Sequence, residues 1–128
     1  MPILLDTHIF LHMLGAPERI SAPQLSLLED SQSDLFFSLA SIWEITIKHT
    51  LGKLKLPAVP AAIFPAQLQH YGIELIPITL PHILQVCHLP HHHHDPFDRL
   101  IIAQAQLLNM PIMSSDHHFP SYNVQVIR

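Results

Sequence analysis

The stretch DPFDRLIIAQAQLLNMPIMSSD, residues 95–116, decides the predicted fold. It begins with Asp95 followed by proline, the residue types preferred at the N-cap and at the first position of a helix. Apolar and small residues then occupy almost every side of the helix up to Asn109, which is the pattern of a buried helix. Residues 111–114 form a short apolar run that ends close to Asp116, which is typical of a buried strand. The stretch therefore predicts a buried helix that leads directly into a strand.

The rest of the chain repeats this alternation of helices and short apolar strands. Further strands are predicted at 3–5, 35–37, 74–76 and 123–127, and further helices at 8–14, 25–29, 38–51, 61–71 and 81–87. Such alternation indicates an α/β fold with a mostly parallel sheet of four or five strands, covered by helices on both faces. Within the third helix, Ser41 and Glu44 have the spacing of a capping box.

Length and composition limit the class of protein. The chain has 128 residues, 48% hydrophobic and 12% charged, which predicts one compact domain with a sizeable core. No apolar run is long enough for a membrane span, and no basic segment before an apolar run predicts a signal peptide. Cys87 is the only cysteine, so no internal disulfide can form, which fits the cytoplasm. The net charge of −4 argues against a DNA-coating protein.

Four acidic residues are predicted to meet at one edge of the sheet. Asp6 follows the first strand, and Glu44 lies in the helix after the second strand. Asp98 opens the long helix, and Asp116 follows the fourth strand. The C-terminal ends of parallel strands share one edge of a sheet, where ligands bind. We therefore expect these carboxylates to lie close together.

A carboxylate cluster of this kind points to a bound cation. The charges repel one another, and their burial is costly unless a cation compensates it. Ligands that are all oxygen atoms suit Mg²⁺ or Mn²⁺, and such ions activate water for attack on phosphodiesters. The hydroxyls of Thr7 and Ser114 are supporting groups nearby. Neutralising the four acids would bring the net charge of −4 to zero.

Several charged and aromatic residues near these acids have two interpretations. Lys48 stands one helical turn after Glu44, so it either contacts a phosphate or forms an ordinary ion pair. Arg99 either contacts a phosphodiester substrate or braces the helix start by pairing with an acid, and we expect bracing. Asp95 is expected to act mainly as an N-cap. Trp43 can stack on a base, but we expect it to pack in the core or in a dimer interface.

The histidine run at 91–94 invites a metal-binding interpretation for Zn²⁺ or Ni²⁺. Natural sites of that kind use histidines that the fold brings together and orients with further partners, which four consecutive loop residues lack. We therefore expect loop residues, with His93 forming a hydrogen bond near the acids. We also expect Cys87 to be a small buried hydrophobe, and Leu107 and Leu108 to be part of the core.

Four motifs in a fixed order carry a family resemblance across nearly the whole chain. They are LLDTH (4–8), SIWEI (41–45) with Lys48 and GKL (52–54), HHDPFDR (93–99) with AQA (103–105), and SSD (114–116). This combination resembles the PIN-domain nucleases, and within them the VapC-type toxins of bacterial toxin–antitoxin pairs. Ser114 stands where many relatives have threonine, and His94 stands where a basic residue is frequent.

The resemblance implies a fold and an activity. The fold is a three-layer α/β/α sandwich with a central parallel sheet, and the activity is that of a Mg²⁺- or Mn²⁺-dependent endoribonuclease with one or two ions. The implied catalytic and metal-binding residues are Asp6, Glu44, Asp98 and Asp116. The implied partners are structured RNA such as tRNA or ribosomal RNA, a second copy of the chain, and a cognate antitoxin that inhibits the enzyme. The alternative is a catalytically idle PIN-like module that binds a protein or a nucleic acid.

Overall fold

The computed structural model describes residues 1–128 and contains one five-stranded sheet. The strand order is β3-β2-β1-β4-β5, and every neighbouring pair is parallel. This confirms the predicted parallel sheet. The strands are β1 (Pro2–Leu5), β2 (Asp34–Ser38), β3 (Glu74–Ile76), β4 (Ile112–Met113) and β5 (Val126–Ile127).

Six α-helices connect and cover the strands, close to the predicted positions. They are α1 (Thr7–Gly15), α2 (Ala22–Glu29), α3 (Leu39–Thr50), α4 (Pro60–Tyr71), α5 (Leu80–Gln85) and α6 (Pro96–Leu108). Helix α4 ends at Gly72, whose φ of 66° is the left-handed conformation that glycine adopts without strain. None of the helices combines the length and the apolar character that a membrane crossing requires.

The sheet separates two hydrophobic cores. Side chains alternate along β1, so Ile3 and Leu5 belong to one core and Leu4 belongs to the other. Helices α1, α3 and α4 contribute buried residues to the first core, and α6 contributes buried residues to the second. The result is the α/β/α sandwich that the family resemblance implies, with Leu4 and Leu5 fully buried between the helical layers.

Helix α6 begins as predicted. The Asp95 carboxylate accepts hydrogen bonds from the backbone N–H groups of Phe97 at 2.9 Å and Asp98 at 3.0 Å, so it is the N-cap. The prediction that the last turn of α6 belongs to the core is wrong, because Leu107 and Leu108 are exposed. The buried residues of α6 end at Ala105, and the helix extends past the part that packs on the sheet.

Helix α3 begins three residues earlier than the predicted capping box requires. Ser38 is the N-cap, and its hydroxyl accepts the backbone N–H of Ala40 at 3.0 Å. Strand β2 runs into α3 without a loop, so Ser41 and Glu44 are buried residues inside the helix. The capping-box prediction is therefore wrong, and both side chains are free to contact residues of α1.

Candidate carboxylate site

The four predicted acids meet at the C-terminal edge of the sheet. Asp6 links β1 to α1, Glu44 lies in the second turn of α3, Asp98 lies in the first turn of α6, and Asp116 follows β4. Asp6, Glu44 and Asp98 are at most 5% exposed, whereas Asp116 is partly exposed. The parallel topology brings them together because each follows a strand or begins a helix at the same edge.

Two hydroxyl groups hold these carboxylates in place. Ser114 donates a hydrogen bond to Asp6 Oδ2 at 2.8 Å, and its oxygen accepts the backbone N–H of Asp116 at 3.0 Å. Thr7 donates to Glu44 Oε1 at 2.9 Å and lies 2.8 Å from Ser41 Oγ. The predicted supporting residues therefore contact the acids directly.

Lys48 forms an ion pair with Glu44. Its Nζ lies 2.6 Å from Glu44 Oε2, and its side chain is 41% exposed. Burial alone would lower the pKa of Lys48, but the hydrogen bond to Glu44 and the charges of Glu44, Asp95 and Asp98 outweigh burial and raise it. Both oxygens of Glu44 thus have partners, and the exposed part of Lys48 remains open to a ligand.

Asp98 carries the strongest sign of accumulated negative charge. Burial raises its pKa to about 8, helped by the charges of Asp6, Asp95, Glu44 and Asp116. Burial also raises the pKa of Asp6, although the hydrogen bond from Ser114 opposes the change. Because like charges disfavour one another's ionisation, the site cannot carry all its carboxylate charges at neutral pH unless a cation neutralises some of them.

The pKa of Asp116 shifts in the opposite direction, below its ordinary value. Burial would raise its pKa, but hydrogen bonds from the backbone and ring of His118 and from His93 outweigh burial and lower it. The His118 N–H lies 2.8 Å from Asp116 Oδ1, and His93 Nε2 lies 3.1 Å from Asp116 Oδ2. Asp116 is therefore ionised and held on both oxygens.

Two buried oxygen atoms in the site have no hydrogen-bond partner. They are Asp6 Oδ1 and Asp98 Oδ1. Buried polar atoms are nearly always paired, so two orphaned carboxylate oxygens in one site indicate a missing ligand. Carboxylate oxygens are hard donors, which fits Mg²⁺ or Mn²⁺. The residues present thus fit a divalent cation, and Asp6 and Asp98 are the acids with a free oxygen to offer it.

His93 forms the predicted hydrogen bond near the acids, whereas the sequence pattern did not single out His118. His93 Nε2 lies 3.0 Å from Asp98 Oδ2, and its neighbours His91 and His92 are exposed. His118 follows Asp116 by two residues, and its backbone N–H closes a short turn on that carboxylate. The signal available for His93 was its place two residues before the N-cap of α6, which brings it to the same edge as the acids.

Arg99 braces the histidine loop and does not face solvent. Its side chain is buried and donates hydrogen bonds to backbone carbonyls, including Pro90 O at 2.9 Å and Val86 O at 3.3 Å. It also lies 3.4 Å from the hydroxyl of Tyr122. The predicted bracing role is right, but the partners are carbonyls and not an acid. The guanidinium is enclosed and offers little surface to a ligand, and the alternative contact with RNA stays a prediction.

Trp43 lies on the surface, so its predicted position in the core is wrong, while the predicted position in a dimer interface stays a prediction. It is 57% exposed and packs edge-on against Phe97 with ring centroids 5.2 Å apart. Trp43 and Ile83 of α5 line one groove, and Leu39 lies one helical turn before Trp43 on α3. We call these three exposed apolar residues, Leu39, Trp43 and Ile83, the Trp43 surface. Cys87 is also exposed, contrary to expectation, because it lies in a short 3-10 turn after α5.

Comparisons with known proteins agree with this architecture. The family model described as "PIN domain" matches residues 3–124. The fold is similar to VapBC2 from Rickettsia felis bound to a promoter DNA fragment, with a TM-score of 0.74, 16% identity, and coverage of 99% of this chain and 98% of that chain.

Two further structures are similar over nearly the same length. VapBC-1 from nontypeable Haemophilus influenzae has a TM-score of 0.63 and 19% identity, with coverage of 99% of this chain and 97% of that chain. FitAcB from Neisseria gonorrhoeae has a TM-score of 0.64 and 18% identity, with coverage of 98% and 96%. A search of curated proteins finds no significant match. The family model spans nearly all of the chain, and the protein belongs to the PIN-domain family of nucleases.

Proposed function

We propose that the protein is a divalent-cation-dependent endoribonuclease and the toxin of a VapC-type toxin–antitoxin pair. The observation that carries this proposal is the pair of orphaned, buried oxygens on Asp6 and Asp98 within a cluster of four acids. The fold supports it, because solved structures of similar fold include a toxin–antitoxin complex from Klebsiella pneumoniae.

The four acids would contribute to cation binding in different ways. Asp6 and Asp98 would hold Mg²⁺ or Mn²⁺ through their free oxygens. Glu44 and Asp116 would supply the remaining negative charge and would help to hold a second ion where two are bound. When bound, the ion lowers the pKa of a water molecule and neutralises charge on the phosphodiester. Ser114 and Thr7 keep the carboxylates oriented, so the site needs little rearrangement during the reaction.

The substrate side of the proposal rests on Lys48, whose side chain lies beside the acids and whose exposed part can contact a phosphate. Lys53 and Lys55 are exposed on the segment that follows α3. These positive charges would offset the repulsion between the acids and an RNA backbone. The RNA would be a structured one, tRNA or ribosomal RNA, cut to leave a 5′-phosphate and a 3′-hydroxyl.

The assembly belongs to the same proposal. The chain would act in the cytoplasm as one domain, pair with a second copy, and be inhibited by a cognate antitoxin. The Trp43 surface supports pairing, because exposed apolar side chains that are close together often mark a protein interface. The low content of charged residues, 12%, is compatible with a buried interface.

The test is cleavage of total RNA by the purified protein with Mg²⁺ or Mn²⁺, and with EDTA. The parent should cut only when the cation is present. Asp98→Asn should lower the rate by at least about 100-fold, because it removes the negative charge and replaces one carboxylate oxygen by an amide nitrogen that cannot bind the ion. Glu74→Gln is the matched control, since Glu74 is an exposed acid on β3.

Equal cleavage by Asp98→Asn and the parent would show that the acids do not form the active site. Absence of cleavage by the parent under all cation conditions would favour a catalytically idle module. The antitoxin is tested with the product of the neighbouring short reading frame, which should bind the protein and stop cleavage.

A further inference from the structure

His93 is held more firmly than its place in a histidine run suggests. Its backbone N–H donates to the Tyr122 hydroxyl at 2.7 Å, and its carbonyl oxygen accepts from Arg99 at 3.4 Å. Arg99 is itself buried and donates to Pro90 at the start of the loop. The loop is thus tied to α6 and to the segment after β4, so the direction of the His93 ring is determined by the fold.

The hydrogen bonds of the ring decide which nitrogen carries the proton. His93 Nδ1 lies 3.2 Å from the backbone nitrogen of Asp95 and accepts its N–H. An amide N–H can only donate, so Nδ1 must offer a lone pair and the proton of the imidazole must sit on Nε2. This N–H is directed at Asp116 Oδ2, 3.1 Å away, and Asp98 Oδ2 is 3.0 Å from the same nitrogen.

The same tautomer argues against a histidine metal site. One ligand atom each from His93, Asp116 and His118 lies within 4.8 Å of the others, a spacing that could suit a metal ion. A histidine that ligates a metal normally donates its other ring N–H to an acceptor. The other ring nitrogen of His93, Nδ1, faces a donor, the backbone N–H of Asp95. Ligation of a metal through Nε2 would move the ring proton to Nδ1, where it would point at this N–H.

We propose that His93 is a positioning residue that sets the orientation of Asp98 and Asp116 through its Nε2–H. The Nε2–H is hydrogen-bonded to Asp116 Oδ2, and Asp98 Oδ2 lies 3.0 Å from the same nitrogen, so both Oδ2 atoms face the ring. Asp98 Oδ1 is then left buried and without a partner, like Asp6 Oδ1. The effects on cation binding and on cleavage rest on the proposed function, whereas the tautomer of His93 does not.

Two isosteric variants separate this role from a structural role in the loop. The amide nitrogen of glutamine can take the place of Nε2, so His93→Gln keeps the donor to the carboxylates and loses the acceptor for Asp95. The side chain of asparagine reaches only as far as Nδ1, so His93→Asn keeps that acceptor and loses the donor. His93→Ala loses both groups.

Mn²⁺ affinity, measured by electron paramagnetic resonance, ranks these variants. His93→Ala and His93→Asn should bind Mn²⁺ about 10- to 100-fold more weakly than the parent, the usual effect of losing a group that orients a ligand, and His93→Gln should stay near the parent. The reverse order, with asparagine near the parent and glutamine weak, would assign His93 a loop role and overturn the proposal. Equal affinities in all variants, or a parent that binds no Mn²⁺, would also overturn it.

The tautomer provides a second readout that requires neither metal nor RNA. Long-range ¹H–¹⁵N correlation spectra of protein with labelled histidines should show His93 with its proton on Nε2, with the signal assigned by its loss in His93→Gln. A proton on Nδ1 contradicts the proposal even if the protein cuts RNA. If the parent cuts no RNA but the tautomer and the Mn²⁺ ranking hold, the proposed function fails and the positioning role stands.

Folding and the other histidines are controlled separately. Thermal unfolding of each variant shows whether the protein is folded before its affinity is compared. The double variant His91→Ala, His92→Ala removes exposed neighbours of the same type and should leave the high-affinity Mn²⁺ binding unchanged. Loss of that binding in the double variant would place the cation on the exposed histidines and overturn the role of His93.

Discussion

At the scale of single residues, the site is defined by which carboxylate oxygens have partners. Glu44 is bonded on one oxygen by Thr7 and on the other by Lys48. Asp116 is likewise bonded on both oxygens. Asp6 and Asp98 each keep one buried oxygen without a partner, and Asp98 has a pKa of about 8. The acids are therefore not equivalent, and Asp98 and Asp6, whose pKa values burial raises, should both shape the response of the protein to pH.

The stability of the metal-free protein should fall as the pH rises from about 4 to about 8. Asp98 has a pKa of about 8 in the folded protein against 3.8 ordinarily, so over this range the folded state binds one more proton than the unfolded state. Each tenfold change in proton affinity is worth about 1.4 kcal/mol, so the total loss should reach several kcal/mol. Urea unfolding at a series of pH values measures it.

Asp98→Asn supplies the control for this pH dependence, because asparagine does not titrate. The variant should lose the part of the slope between pH 4 and pH 8 that Asp98 contributes, while the raised pKa of Asp6 keeps the rest. Saturating Mn²⁺ should reduce the slope in the parent, because the cation binds the ionised site. An unchanged slope in Asp98→Asn would assign the pH dependence to other groups.

At the scale of elements, two helix starts bring acids to the sheet edge. Strand β2 passes directly into α3, which places Glu44 one turn deeper than a capping box would. The Asp95 cap and the proline after it define the first turn of α6, and Asp98 is the third residue of that helix. The position of α6 therefore depends on Asp95 for its start and on its buried middle for its packing on the sheet.

Asp95→Ala should destabilise the protein by about 1 kcal/mol, because the N–H groups of Phe97 and Asp98 lose their acceptor. Asp95→Asn should retain most of the stability, since asparagine is also a good N-cap. Chemical denaturation of the two variants measures the difference. If Asp95→Asn is as unstable as Asp95→Ala, the negative charge and not the cap determines the contribution of this residue.

At the scale of the whole molecule, the Trp43 surface is the apolar area that the fold leaves exposed beside α5. If it joins two copies, Trp43→Ser should shift the protein from dimer to monomer at micromolar concentration, because a large exposed aromatic at an interface often dominates binding. Sedimentation equilibrium measures the shift. Val59→Ser is the control, since Val59 is 60% exposed and lies ahead of α4. A parent that sediments as a monomer would rule out this pairing.

Local sequence patterns determined much of this protein. The alternation of apolar strands and helices, the Asp-Pro start of α6 and the acids after the strands follow from the properties of neighbouring residues, and the parallel topology then places those acids at one edge. The histidine run and the positions of Trp43 and Arg99 were less predictable, because similar local patterns suit a loop, a core or a surface.

Only the tertiary structure decided which side chains of the site form hydrogen bonds with one another. Ser114 reaches Asp6 across 108 positions of the chain, and His93 reaches Asp116 across 23. No local periodicity contains such pairings, because a hydrogen bond depends on distances of about 3 Å between groups that only the folded sheet brings together. The sequence by itself determined which acids and histidines are available at the edge. The fold decided which oxygens are satisfied, which nitrogen of His93 carries the proton, and hence where a cation can bind.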